Sequence, residues 1–302
     1  MIRYVDFHHK TLQGLRASNE DAENHIMNLK INGGAVDDNM APIDFFVICD
    51  GHGGKGVAIL AVKMLTDYFM KKNLKYPLTQ NYIVKIFNTV QKKIIEYDQE
   101  LAYNCGCTAI VLVRFMNKYG HENIQVINLG DCRAVLSRKG MAVPLSKDHK
   151  PFWPEEKLRI DQVNAENNTN EEIHFDAGDW RIGNLSVSRS FGDLDNKPFV
   201  THVPELFGYR LLPTDEFIIM ACDGLWDVLE NHEAVNFVND YLKNNNIEYY
   251  NIPYKFNPIT VRTKATDKFK NVNVSRALAE YAIARGSTDN VSVFIIVFNK
   301  KQ

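Results

Sequence analysis

With 302 residues, 45% of them hydrophobic, the chain can bury a full core, in one large domain or two ordinary ones. Its formal net charge of −2 gives no pull toward phosphate backbones or anionic surfaces, so no nucleic-acid partner is expected. The apolar runs ("AIVLV", "FIIMAC") are too short to span a bilayer and "MIRYVDFHHK" has no signal-peptide core, so no membrane association is expected either.

In chain order, "FFVIC" (45–49) reads as a short strand that ends abruptly in "DGHGGKG". From Val57 the period becomes helical, with Val57, Leu60, Ala61, Met64, Leu65, Tyr68 and Phe69 on one face. A second helix is predicted after Thr79 as N-cap, aligning Tyr82, Ile83, Ile86, Phe87 and Val90. Then come "CTAIVLVRF", a turn at "NKYG", "IQVINLGD", "CRAVLSR" and a "KG" turn, a run of strands spaced for antiparallel pairing. Residues 161–180 are polar and irregular, as in a mobile surface loop. "EFIIMACD" (216–223) and "VSVFIIVF" (291–298) are further strands, with helices around Glu233–Leu242 and Ser275–Ala284 between them. Residues 244–273 form an aromatic-bearing insert that is expected to pack back onto the domain. Strand groups flanked by helix pairs predict layered sheets covered by helices in a single domain, residues 1–302.

Five cysteines without CxxC spacing argue against a disulfide framework or a zinc knuckle. Reduced thiols in the cytoplasm or nucleus are the default. Cys49, Cys132 and Cys222 each stand beside an aspartate, and they read as small buried residues closing strands.

The aspartates matter more. Asp50 and Asp223 follow apolar strands directly, Asp131 follows one across a glycine, and Asp289 stands just before a strand; Glu20 and Asp21 sit in "RASNED". Any one of them has a local explanation as a turn or cap residue. Repeated at the strand ends of one layered fold, they are expected to converge. Converging carboxylates repel and raise one another's pKa, a penalty that a hard divalent cation such as Mg²⁺ or Mn²⁺ removes. Gly51 leaves its carbonyl free to turn toward such an ion. The loop is not a P-loop, because Lys55 is followed by Gly56 rather than Ser or Thr. Arg16, beside the acids, is the candidate for gripping phosphate oxygens.

These stretches resemble the metal-dependent protein phosphatases, the type 2C Ser/Thr phosphatases. In order they are "RASNED", "VICDGHGG", "GCTAIVLV", "INLGDCRAVLSRKG", "LSKDHKP", "LSVSRSFGD", "IIMACDGLWDVL" and "GSTDNVSVFII". The resemblance implies an α+β fold, a four-layer αββα sandwich of two antiparallel sheets packed face to face and flanked by helices. It implies that Asp50 bridges two metals, that Asp223 and Asp289 complete the first site, and that the Gly51 carbonyl binds the second, with Glu20 and Asp21 holding its waters. Asp131 with Asp223 matches a third, weaker metal position. Arg16 matches the phosphate-binding arginine, His52 the general acid, and Asn290 a residue supporting the site.

The implied reaction is hydrolysis of phosphoserine and phosphothreonine in protein substrates by direct attack of a metal-bridging water, without a covalent intermediate. No activating base is evident beside any cysteine, so none is expected as the nucleophile. A silent phosphoprotein-binding relative and a hydrolase of small phosphate esters are the alternatives. A monomer without a separate regulatory domain or targeting tail is expected. The Gly-Gly that usually follows the family's Glu-x-x-Arg-Ile is replaced by Asn164-Ala165, where the chain enters the flap that helps choose substrates.

Overall fold

A computed structural model describes residues 5–29, 37–244 and 273–298. The chain opens with β1 (Val5–Leu12), β2 (Ala22–Met27), β3 (Asp44–Cys49) and the two-residue β4 (Gly51–His52). Helices α1 (Gly56–Phe69), α2 (Gln80–Tyr97) and α3 (Gln99–Asn104) follow. Next are β5 (Gly106–Cys107), β6 (Ala109–Met116), β7 (Glu122–Leu129), β8 (Arg133–Arg138) and β9 (Met141–Pro144). Helix α4 (Pro154–Asn167) leads to β10 (His174–Asp176), β11 (Asp179–Arg181) and β12 (Phe191–Gly192). The remainder is β13 (Glu205–Arg210), β14 (Asp215–Ala221), α5 (Asp223–Trp226), α6 (Asn231–Asn244), α7 (Val274–Ala284) and β15 (Val291–Phe298).

Two five-stranded antiparallel sheets run β1-β15-β14-β8-β9 and β13-β7-β6-β3-β2. Their central strands are apolar on both faces, and alternation sends each face to a different layer. On β3, Phe46 and Ile48 enter the core between the sheets, while Phe45, Val47 and Cys49 pack on the helical side with α1 and α2. On β15, Phe294, Ile296 and Phe298 face the other sheet, while Val291, Val293 and Ile295 pack with α6 and α7. Each such buried side chain contributes about 1.5–3 kcal/mol, so three stacked cores hold helices, sheet, sheet and helices together. The sandwich expected from the sequence is the fold observed.

The helices form for the predicted reasons. The Thr79 side chain accepts from the Tyr82 N–H to cap α2, and Ile83, Ile86, Phe87 and Val90 are buried, though Tyr82 itself is exposed. The buried stripe of α1 runs through Val57, Ala58, Ala61, Val62, Leu65 and Phe69. Leu60, Met64 and Tyr68 lie only partly buried at its margin.

Residues 161–180 are not one irregular loop. The first seven complete α4, which ends at Asn168 in a left-handed conformation. Asn164 then folds the chain back, its Oδ1 accepting from the Glu171 N–H at 2.7 Å and its Nδ2 donating to the Glu171 carbonyl at 2.8 Å. The rest is the hairpin β10–β11, turned at Ala177 and Gly178, both at positive φ. Polarity hid this order because the segment's hydrogen bonds come from Asn side chains, and Ala177 is an uncommon residue for a left-handed turn. The 244–273 insert lies outside the described residues, apart from Asn244, the last residue of α6, and Asn273, which caps α7.

Candidate active site

The acids gather because both sheets deliver strand ends to one end of the sandwich. Asp50 follows β3 and Asp131 follows β7 in one sheet; Asp223 follows β14, and Asp289 precedes β15, in the other. Asp50 and Asp223 share a side-chain hydrogen bond. Burial, then the neighbouring Asp223, Asp21 and Asp131, pushes the Asp50 pKa well above the carboxylate range. Asp223 is raised in the same way, by burial and then by Asp131 and Asp227.

Asp21 lies deeper than its expected role as a holder of waters implies, only 2% exposed. Burial raises its pKa to about 6, against the opposing hydrogen bonds from the Ser292 hydroxyl at 2.5 Å and the Cys222 thiol at 3.6 Å. Asp131 is equally buried, and its Oδ2 accepts from Lys150 Nζ at 2.5 Å.

The loop carrying Glu20 is pinned by a residue from the far end of the chain. Asn290 Oδ1 accepts from the Glu20 N–H at 2.8 Å, while its Nδ2 donates to the carbonyls of Gln13 and Ser18 at 2.8 and 2.9 Å. The Glu20 carboxylate accepts from the Gly54 N–H at 3.0 Å and the Ser18 hydroxyl at 3.1 Å. Gly51 passes so close that a Cβ there would lie 2.5 Å from the Glu20 carbonyl oxygen. Only glycine allows that approach. Arg16, at the exposed rim, donates from Nη2 to Asp289 Oδ2 at 2.6 Å.

His52 is held by a residue that the sequence analysis did not single out. Its Nε2 lies 2.8 and 2.9 Å from the two oxygens of Asp193, which is 3% exposed and also accepts from the Ser190 hydroxyl. Burial alone would lower the His52 pKa, but the Asp193 hydrogen bond and charge outweigh it and raise it. Gly106 makes this contact sterically feasible, since a Cβ there would sit 2.1 Å from the Asp193 carboxylate. A signal was present: "SFGD" repeats the apolar–Gly–Asp pattern of "NLGD" that picked out Asp131. Lys150, in "KDHKP", had no comparable signal, because only the fold sets it against Asp131.

The residues fit a hard divalent cation. Asp21 Oδ1 and Asp223 Oδ1 are buried with no hydrogen-bond partner, and oxygen donors around them suit Mg²⁺ or Mn²⁺. Cys222 Sγ lies within 4.8 Å of ligand atoms of Asp21 and Asp50. Burial pushes that thiol well above its usual pKa, and it donates to the Asn290 carbonyl at 3.4 Å, so it is a poor metal ligand. All five cysteines are buried and unpaired.

Comparison with known proteins agrees with this fold. The family described as Protein phosphatase 2C matches residues 5–291, and the chain belongs to that family of Ser/Thr phosphatases. A "PP2C-like domain-containing protein" of Acanthamoeba polyphaga mimivirus is 66% identical over 186 residues, 62% of this chain and 100% of that protein. "Protein phosphatase 2C homolog 3" of Schizosaccharomyces pombe is 35% identical over 239 residues, 76% of this chain; the match spans only 53% of that longer protein. A phosphatase structure from Toxoplasma gondii shares the fold with a TM-score of 0.74 at 19% identity, over 99% of this chain and 94% of its own. Among the described residues, no helix is long and apolar enough to cross a membrane.

Proposed function

We propose that this chain hydrolyses phosphoserine and phosphothreonine in protein substrates, by direct attack of water and without a phosphoenzyme. The observation that carries the reading is the cluster Asp21, Asp50, Asp131 and Asp223, with two buried oxygens lacking partners, beside the His52–Asp193 pair. Two divalent cations held by Asp50, Asp223, Asp289 and the Gly51 carbonyl, with Glu20 and Asp21 beside them, would supply Lewis acidity toward water and the phosphoryl oxygens. Asp131 and Asp223 are the residues for a weaker third cation, where Lys150 already neutralises Asp131.

The chain's own groups do the rest. Arg16 orients the phosphoryl group from the rim, taking its oxygens with the guanidinium that now makes a charge-assisted hydrogen bond to Asp289. His52, whose pKa Asp193 raises by holding Nε2, hands a proton from its other ring nitrogen, Nδ1, to the departing Ser or Thr oxygen. Asn290 fixes the Glu20 loop between the two strand ends. The thiols nearest the acids, Cys132 and Cys222, are buried and held protonated, which supports water rather than sulfur as nucleophile.

The test is phosphate release from a phosphothreonine peptide with Mn²⁺, Mg²⁺ or EDTA, for wild type and Asp223→Asn. Release by wild type, abolished in EDTA and cut by at least about a thousandfold in the variant, is expected. Metal-independent release, or none at all with the cations present, would overturn the reading.

A further inference from the structure

The hairpin β10–β11 exposes apolar surface that a two-stranded ribbon has nothing to cover. Phe175 and Trp180 stand opposite one another in its register, ring centroids 5.5 Å apart and planes at 69°. They are 62% and 41% exposed and belong to none of the four apolar clusters among the described residues. Their mutual contact helps hold the ribbon, yet most of the Phe175 ring still faces water. A second exposed pair, Phe152 and Trp153, stacks just before α4, with centroids also 5.5 Å apart.

Lys150 ties both pairs to the acidic end. Its Nζ is 2.5 Å from Asp131 Oδ2 and 3.6 Å from Asp179 Oδ2, and Asp179 is the chain neighbour of Trp180. Phe152 and Trp153 follow Lys150 by two and three residues. The charges flanking Trp180 are engaged: Asp179 faces Lys150, and Arg181 donates to the Asn184 and Asp176 carbonyls. What Trp180 and Phe175 offer a ligand is therefore ring surface.

We propose that the Phe175–Trp180 pair is a docking subsite for an apolar side chain of the phosphorylated polypeptide, within about five residues of the phosphoresidue, since extended chain advances about 3.3 Å per residue. The proposal rests on the phosphatase reading. Continuity with the acidic end favours a substrate as occupant. A second copy of the chain is disfavoured by area: each ring has at most about 150–250 Å² to bury, and these are partly covered, whereas a stable interface needs about 800 Å² per partner. Trp180 and Phe175 are then specificity determinants, acting by hydrophobic contact with stiff, preformed rings.

The test walks a single leucine from four residues before to four residues after phosphothreonine in an otherwise polar, uncharged peptide, with Mn²⁺ present. Para-nitrophenyl phosphate, which has no neighbouring residues, is the control for the chemistry and for folding. In wild type, leucine at one or two positions should raise kcat/KM about tenfold, mainly through KM. In the Phe175→Ala/Trp180→Ala double variant that gain should fall below about twofold, with nitrophenyl phosphate turnover unchanged, while Trp180→Phe keeps most of it. A wild type that turns over nitrophenyl phosphate but shows a flat leucine scan overturns the subsite alone. So does a gain that survives in the double variant, or self-association in sedimentation that the double variant abolishes. A wild type inactive even on nitrophenyl phosphate overturns the phosphatase reading, and the subsite with it.

Discussion

Charge is buried in two places in this molecule, on opposite terms. Within the sheet containing β3, β6 and β7, Arg114 is 1% exposed and donates to Asp44 Oδ2 at 2.7 Å and Glu122 Oε1 at 2.9 Å. At the end of the sandwich, Asp21, Asp50, Asp131 and Asp223 crowd together, with Lys150 directly on Asp131 and two carboxylate oxygens left without partners. Even in the paired case burial outweighs Arg114 and holds the Asp44 pKa above its usual value. Desolvating charge is costly in both places, but only the first supplies its own counter-charge. Buried charge alone is thus a poor sign of function. Buried charge whose compensation must come from outside the chain is a good one.

The comparison can be broken most severely at Arg114. Arg114→Ala should cost about 3–5 kcal/mol by urea denaturation, because it strands two buried carboxylates. Replacing all three members of the triad with apolar residues of similar volume should be nearly neutral, and phosphatase activity should survive. If the single substitution costs under about 1 kcal/mol, the triad is not the closed system described here.

A second paired acid gives a pH signature. Glu156 is buried; burial alone would raise its pKa, but Arg189 and Arg159 outweigh it and bring it down to about 2. Its folded pKa is thus below the unfolded value near 4.5, so its contribution is complete above about pH 4.5 and lost as pH falls through 2. That contribution is about 3 kcal/mol, and acid titration of Glu156→Gln against wild type should lack it.

Asp193→Asn sharpens the reading of the acidic end. Losing the carboxylate should lower the His52 pKa and move the alkaline limb of the kcat profile to lower pH. Rates on phosphothreonine peptides should drop about 10- to 100-fold, and those on nitrophenyl phosphate far less, since its leaving group needs no proton. Equal losses on both substrates would show that Asp193 acts otherwise than through His52.

The smallest effect is also the most pointed. In metal-free protein, Asp223→Asn should raise the thermal midpoint, by a stabilisation on the order of 1 kcal/mol, because it relieves repulsion with Asp131 and Asp227. It should also shrink the upward shift that Mn²⁺ gives wild type. A lowered metal-free midpoint would mean that the cluster is not strained by like charge.

Much of this is legible in the sequence. The apolar runs "FFVIC" and "VSVFIIVF" read as buried strands, and the 3.6-residue period after Val57 gives α1 its buried stripe. Asp50, Asp131 and Asp223 stood out because each ends an apolar strand. The hairpin at 174–181 did not, because its order comes from two left-handed residues and Asn164 rather than from hydrophobic period. Asp193 was overlooked although "SFGD" carried the same strand-end pattern.

What the sequence determined by itself is therefore local: which segments are strands or helices, which face a helix buries, and which acids stand at the strand ends. Tertiary structure decided which of those groups meet. Asn290 reaches Glu20 across 270 residues, Arg16 reaches Asp289 across 273, and His52 reaches Asp193 across 141. Desolvation and Coulomb energy depend on distance through space, and separation along the chain does not encode that distance. The aspartates could be named from their positions at strand ends. Their raised pKa values, and the oxygens left without a partner, exist only where the two sheets bring them together.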